Sequence, residues 1–323
     1  LGGSRFGVST AVVYGDQVYV FDLGLGAVQR LRNSGAVSKD TAPTFLRSVR
    51  GIFFTHMHSD HLADWPALYA IGPSNNLGDT AREPIVVRGP GSRGVLPRVF
   101  PPSRPEPAVV NPALPTPGID QMARYLDQAW AADLNDRVRD NNAILPSNLF
   151  DVGDIDLSGI WDVSPSGIPP RLAKPIPVHK DGDVTITATL VDHRPTAPAF
   201  AYRVDTPDGS VVISGDTTVS ANLIDLAQGA DYLVHEVIDP FYIRQVTSAL
   251  PTEIAGPIRQ HLVESHTTIE QVGRDVAQPA RVKNLVLTHL VPAAAPATTF
   301  QAAKEGFAGK LIVGEDLMDL PVR

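Results

Sequence analysis

Short β-type runs alternate with helical faces along most of the chain. Residues 8–14 are rich in Val and Thr, Gly15-Asp16 supplies a turn signal, and residues 17–21 resume β character, so the pattern predicts an opening hairpin. Asp22-Leu23-Gly24 ends that strand, and residues 26–32 begin a helix. Residues 49–55 (VRGIFFT) read as a buried strand running straight into His56, and residues 84–88 as another strand. Strands return at 184–191, 199–204, 210–214, 232–235, 284–288 and 310–313, with helices at 220–228 and 268–276 and a turn at Thr206-Pro207-Asp208-Gly209. Strands and helices alternate in both halves. The expected fold class is therefore α/β, with two halves whose sheets pack together and helices outside.

The middle of the chain breaks this rhythm. Pro97, Pro101, Pro102, Pro105, Pro107, Pro112, Pro115 and Pro117 are too dense for a helix or a central strand. Apolar residues at Met122, Leu126, Ala129, Trp130, Leu134 and Val138 then give one helical face over 120–139. Residues 147–177 turn irregular again. We read 97–177 as an insertion with its own helix inside a single domain of 1–323. A lid and a passive surface excursion both fit it.

Composition narrows the class. The chain has 323 residues, with 27 Lys plus Arg against 35 Asp plus Glu, so its formal charge is 27 − 35 = −8. That balance argues against nucleic acid as a partner, which usually needs a basic surface. The absence of Cys excludes disulfides, thiolate metal sites and a cysteine nucleophile. No apolar run reaches the roughly 18 residues of a membrane span, so a soluble protein without a membrane partner is expected. The opening Leu1-Gly2-Gly3 suggests a processed or trimmed product, which leaves open a cytoplasmic location or export after removal of a targeting segment. Nothing in the sequence decides whether the chain forms a homodimer.

The densest chemistry is Thr55-His56-Met57-His58-Ser59-Asp60-His61, which places three imidazoles and a carboxylate just after an apolar strand. Borderline metals such as zinc favour this donor set. Further candidates also sit at strand ends: His193, Asp216 and His289. No Gly-x-Ser-x-Gly elbow is present at a suitable junction, and Leu23-Gly24-Leu25-Gly26-Ala27 lacks the pattern of a phosphate loop, so it reads as a helix turn. Trp65, Trp130 and Trp161 read as ordinary packing residues, and His179 and His261 as surface residues.

The ordered set Phe21-Asp22-Leu23-Gly24, HMHSDH at 56–61, Asp192-His193, Ser214-Gly215-Asp216-Thr217, His235-Glu236, Ser265-His266-Thr267-Thr268 and Leu287-Thr288-His289-Leu290 resembles the metallo-β-lactamase-fold hydrolases. It is closest to the branch with ribonuclease Z, arylsulfatases and related phosphodiesterases. The resemblance implies a four-layer αββα sandwich and two divalent ions, zinc first, with Mn2+ or Fe as alternatives. It implies His56, His58 and His193 on one metal, Asp60, His61 and His289 on the other, and Asp216 bridging. It makes Asp22 a supporting carboxylate, and Asp60, His266 and Glu236 the catalytic candidates, with Glu236 orienting His266. Asp64 reads as a cap more readily than as a substrate-facing residue.

Several functions remain open on this reading. The acidic charge and the Val291-Pro292-Ala293 segment after His289 favour hydrolysis of a small-molecule ester, an aryl sulfate or phosphodiester, by a metal-bridging hydroxide. The alternatives are a ribonuclease Z-like RNA phosphodiesterase, a lactonase or β-lactamase-like hydrolase, and a non-catalytic metal-containing binding module.

Overall fold

The computed structural model describes residues 5–37, 44–75, 83–100 and 102–322. Leu1, Gly2, Gly3 and Pro101, noted in the sequence, lie outside them. The chain divides into two compact units. Among the described residues no helix is long and apolar enough to cross a membrane.

The first unit comprises Phe6–Ser92 and Pro117–Asp156. Its strands β1 (Thr10–Tyr14), β2 (Gln17–Phe21), β3 (Val49–Phe53), β4 (Ile85–Gly89) and β5 (Phe150–Asp154) lie in sequence order in one sheet. The predicted hairpin joins β1 and β2 through Gly15, whose φ of +61° suits a residue without Cβ. Strands β2 to β5 are parallel, and β2 and β3 are almost wholly buried, as parallel strands covered on both faces must be. The helices are α1 (Ala27–Asn33), α2 (Ser59–Leu62), α3 (Trp65–Ile71), α4 (Ile119–Ala129), α5 (Ala131–Asn141) and α6 (Pro146–Leu149). The helix expected over 120–139 is thus two helices, meeting at Trp130 with φ −97° and ψ 8°.

Residues 97–177 are shared between the units. Their middle part carries β5, a regular strand paired with β4 along its whole length, while Arg93–Thr116 and the residues from Leu157 onward fall in the second unit. The first unit's core centres on Trp65, which is fully buried. Its ring lies 5.6 Å from Phe54, 5.3 Å from Tyr69 and 5.2 Å from Phe150. This is packing, as the sequence suggested.

The second unit holds a seven-stranded sheet in the order β12-β11-β10-β9-β8-β7-β6. Here β6 (Ile176–Asp181), β7 (Val184–Leu190), β8 (Phe200–Thr206) and β9 (Gly209–Ile213) form an antiparallel meander. Strands β10 (Tyr232–Ile238), β11 (Asn284–Val291) and β12 (Lys310–Val313) continue it in parallel. Its helices are α7 (Ala221–Leu226), α8 (Pro240–Ser248), α9 (Thr252–Ser265) and α10 (Ile269–Gln271), the last running into a π-turn at Val272–Ala277. Leu233 and Val237 of β10 with Leu285 and Leu287 of β11 join α7, α10 and the π-turn in one buried cluster. Buried Arg93 donates to the carbonyls of Ser164 (2.9 Å), Pro165 (3.0 Å) and Pro195, tying residues 164–165 to the loop after His193.

Replacing Trp65 by Ala removes the largest fully buried side chain of the first unit. We expect a loss of about 3–5 kcal/mol, read as a lowered urea midpoint at an unchanged m-value.

Candidate metal centre

In the first unit the histidine loop is organised by Asp22, one residue past β2. Asp22 has a φ of +60°, which turns the chain and brings its carboxylate under the loop. Asp22 Oδ1 accepts the Thr55 backbone N–H at 2.8 Å, and Oδ2 accepts the Thr55 hydroxyl at 2.7 Å and His61 Nδ1 at 2.8 Å. Since the Thr55 hydroxyl has spent its one hydrogen on Asp22, its oxygen accepts His56 Nδ1–H at 3.0 Å. Both imidazoles are therefore fixed with the proton on Nδ1 and the lone pair on Nε2. Their rings lie 4.1 Å apart, with the His58 ring 4.7 Å from that of His56. Gly24 makes this approach possible, because a Cβ there would sit 2.6 Å from the Asp60 carbonyl oxygen and 2.5 Å from Val8 N.

In the second unit the candidates gather at the C-terminal ends of strands, where an α/β sheet commonly places a site. Buried Asp216 follows β9, and its Oδ2 lies 4.0 Å from His193 Nε2 and 3.6 Å from His289 Nε2. His193 follows β7 and donates Nδ1–H to the Ser265 carbonyl at 2.8 Å, again leaving the lone pair on Nε2. His289 lies in β11 at a β-bulge. Glu236 pairs with Thr288 and Val237 with Leu290, so His289 is the extra residue, with a φ of +44°. A bulge re-aims one side chain out of the strand's alternation.

Glu236 Oε1 accepts three hydrogen bonds, each at 3.1 Å, from Thr217 N–H, Thr267 N–H and His266 Nδ1–H. His266 follows α9 in extended backbone, with φ −131° and ψ 160°, and Thr268 opens the next helix with a capping box. Its Nδ1 is 3.9 Å from Asp216 Oδ2, so the proton there goes to Glu236. The carboxylate holds one tautomer of His266 and leaves Nε2 for other chemistry.

These donors fit divalent ions. The separations of 3.6–4.0 Å around Asp216 exceed a hydrogen bond but approach the roughly 3.4 Å between two ligands on one tetrahedral zinc-like ion. Within the second unit, ligand atoms of His193, Asp216 and His266 lie within 4.8 Å of one another. The chain carries a binuclear His/Asp metal-binding cluster.

Other residues fall elsewhere. Asp64 caps α1, accepting the N–H groups of Gly26 and Val28 at 2.9 Å each, which makes Leu23–Ala27 a helix turn. His179 lies on the edge strand β6. His261, read from sequence as a surface residue, is half-buried instead. Its ring lies 6.4 Å from that of His193 and 6.2 Å from that of His266, and burial, followed by the nearby His266, lowers its proton affinity. Ser265, named in sequence only as part of Ser265-His266-Thr267-Thr268, had no role assigned to it. The i, i+4 spacing of His261 and Ser265 just before His266 was the available signal.

His235 serves the core. It is fully buried and donates Nδ1–H to the Glu236 carbonyl at 2.6 Å. Burial holds its proton affinity below the ordinary value, against the opposing pull of Glu236.

Two outcomes follow from these contacts. Asp22→Asn keeps the shape but places an amide donor among three donors, so we expect metal affinity to fall about 10- to 100-fold, measured by competition with a chromogenic chelator. For His235, the unfolded chain takes up a proton near pH 6.5, and burial in the folded chain moves that uptake to lower pH. Its contribution to stability is therefore intact above that pH and lost as pH falls below it. His235→Gln should flatten the acid-side slope of unfolding free energy by up to about 1.4 kcal/mol per pH unit, measured by urea titrations of metal-free protein.

No family model matches the chain. It is 30% identical over 318 residues to ribonuclease Z of Mycobacterium avium (strain 104), covering 97% of this chain and 91% of that protein. Ribonuclease Z of Mycolicibacterium paratuberculosis is 29% identical over the same share. Among solved structures, the metallo-β-lactamase fold protein YhfI from Bacillus subtilis superposes with a TM-score of 0.57 at 16% identity, over 98% of this chain and 92% of that one. Human tRNase Z, short form, gives 0.56 at 17% identity, over 98% and 93%. The two sheets with their helices are those of the αββα metallo-β-lactamase fold. These relatives also correct the argument from net charge against nucleic acid. A charge of −8 sums the whole surface and says nothing of the field at one groove. The chain belongs to the ribonuclease Z family of metal-dependent, metallo-β-lactamase-fold hydrolases.

Proposed function

We propose that this chain is a metal-dependent phosphodiesterase acting on RNA. The observation that carries the reading is the 30% identity to a ribonuclease Z across 97% of the chain. It favours RNA over the aryl sulfate or small phosphodiester that net charge alone suggested.

In this reading His56, His58 and His193 would hold one ion and Asp60, His61 and His289 the second, with Asp216 as a ligand common to the two. When bound, such a pair supplies Lewis acidity and a water of lowered pKa. The chain's own residues supply the rest. Asp22 and Thr55 keep His56 and His61 in the tautomer that offers Nε2. The Ser265 carbonyl does the same for His193. Glu236 holds the Nδ1 proton of His266, so His266 Nε2 is the group that exchanges a proton with the leaving oxygen. Buried Glu236 is itself kept in place by two backbone N–H groups.

The test is cleavage of a short oligoribonucleotide by protein reconstituted with Zn2+ or Mn2+, beside an aryl phosphodiester and an aryl sulfate with a common leaving group. RNA cleavage that stops on chelation and returns with metal is expected. Turnover of the sulfate alone would overturn the reading. His266→Ala should lower kcat about 100-fold or more with metal content unchanged.

A further inference from the structure

His261 and Ser265 share one face of α9, four residues apart. The Ser265 hydroxyl gives its hydrogen to the Arg194 carbonyl. Its oxygen is then an acceptor for His261 Nδ1, 3.0 Å away. In neutral His261 the Nδ1 proton is therefore committed, and Nε2 carries a lone pair. Among the described residues His261 Nε2 takes no protein hydrogen bond. The residue is half-buried, and its ring stands 6.4 Å from that of His193 and 6.2 Å from that of His266.

An acceptor in this place has a restricted use. A neutral imidazole lone pair is repelled by a phosphate oxygen, so the substrate group that suits it is a hydrogen-bond donor beside the phosphate. In RNA the donor next to the phosphodiester is the ribose 2′-hydroxyl, the group that separates RNA from DNA. We propose that His261 Nε2 accepts a hydrogen bond from a ribose 2′-hydroxyl of the bound substrate and so makes the site prefer ribose over deoxyribose. The proposal rests on the RNA reading above and adds a residue and a substrate group to it. Ser265 is the positioning residue, fixing the tautomer through its hydroxyl while its carbonyl fixes His193.

The experiment compares kcat/KM of the metal-loaded wild type and His261→Ala on one oligonucleotide sequence made as RNA, as its 2′-deoxy counterpart and as its 2′-O-methyl counterpart. The methyl ether keeps an acceptor oxygen but has no donor. One neutral hydrogen bond corresponds to about 5-fold. Wild type should favour RNA over both analogues by at least that factor, and His261→Ala should lose the preference. The penalties for removing the 2′-hydroxyl and the imidazole should be non-additive. His261→Gln, whose side-chain carbonyl can accept, should recover part of the preference. Metal content and thermal midpoint of each variant show that it is folded and loaded. Equal losses of His261→Ala on all three oligonucleotides, or an undiminished preference for RNA, would overturn the proposal and leave the RNA reading standing. A wild type that hydrolyses an aryl phosphodiester but none of the oligonucleotides would overturn the RNA reading itself, and this inference with it.

Discussion

The carboxylate of Asp22 is the constraint on which the histidine loop depends. It satisfies a backbone N–H, a hydroxyl and an imidazole at once, and through the hydroxyl it fixes a second imidazole. A buried anion is costly unless its lone pairs are used, and here they are. Its left-handed backbone lets the same residue end β2 and reach under the loop. The helix turn that follows is held in turn by Asp64. Two carboxylates at the foot of one loop thus do its structural work.

The second unit reaches a similar result largely with backbone. Ser265 orients His193 through its carbonyl, and Thr217 and Thr267 hold Glu236 through N–H groups. Most of these partners are present whatever side chain stands there. The chain must instead place the groups, by the extended backbone after α9 and the capping box that follows it. Preorganisation of this kind limits the reorganisation that ligand binding requires.

That division explains what the sequence made legible. The strand-end pattern led directly to His56, His193, Asp216 and His289, since apolar runs stopping at a His or Asp are visible in one dimension. The orienting roles of Ser265 and Thr217 were not visible, although both stand in the matched segments, because a main-chain contact leaves no residue-type signature. Strand β5, with the sequence FDVGD, was read as irregular because an edge strand with Gly and two Asp has little β character. Pro177 concealed β6 in the same way, and it too is an edge strand, where Pro is tolerated. Helix α9 was missed because it carries Pro257 in its interior. The break at Trp130 was hidden because the apolar spacing runs through the joint without a breaker. Net charge misled about the partner, being a sum over the surface and not a map of it.

The bulge at His289 has a consequence for how this strand tolerates change in length. Leu285, Leu287 and Leu290 all reach the same buried cluster, although strict alternation would put residue 289, not 290, on that face. The extra residue shifts the parity, so the imidazole leaves the strand's alternation while the leucine beyond it stays in the core. Deleting the residue between Thr288 and Leu290 would restore a regular ladder and remove the imidazole that the bulge sets apart. Inserting one would reverse the faces of everything downstream in β11. The count of residues in this stretch therefore sets where the imidazole goes as much as the identity of the histidine does.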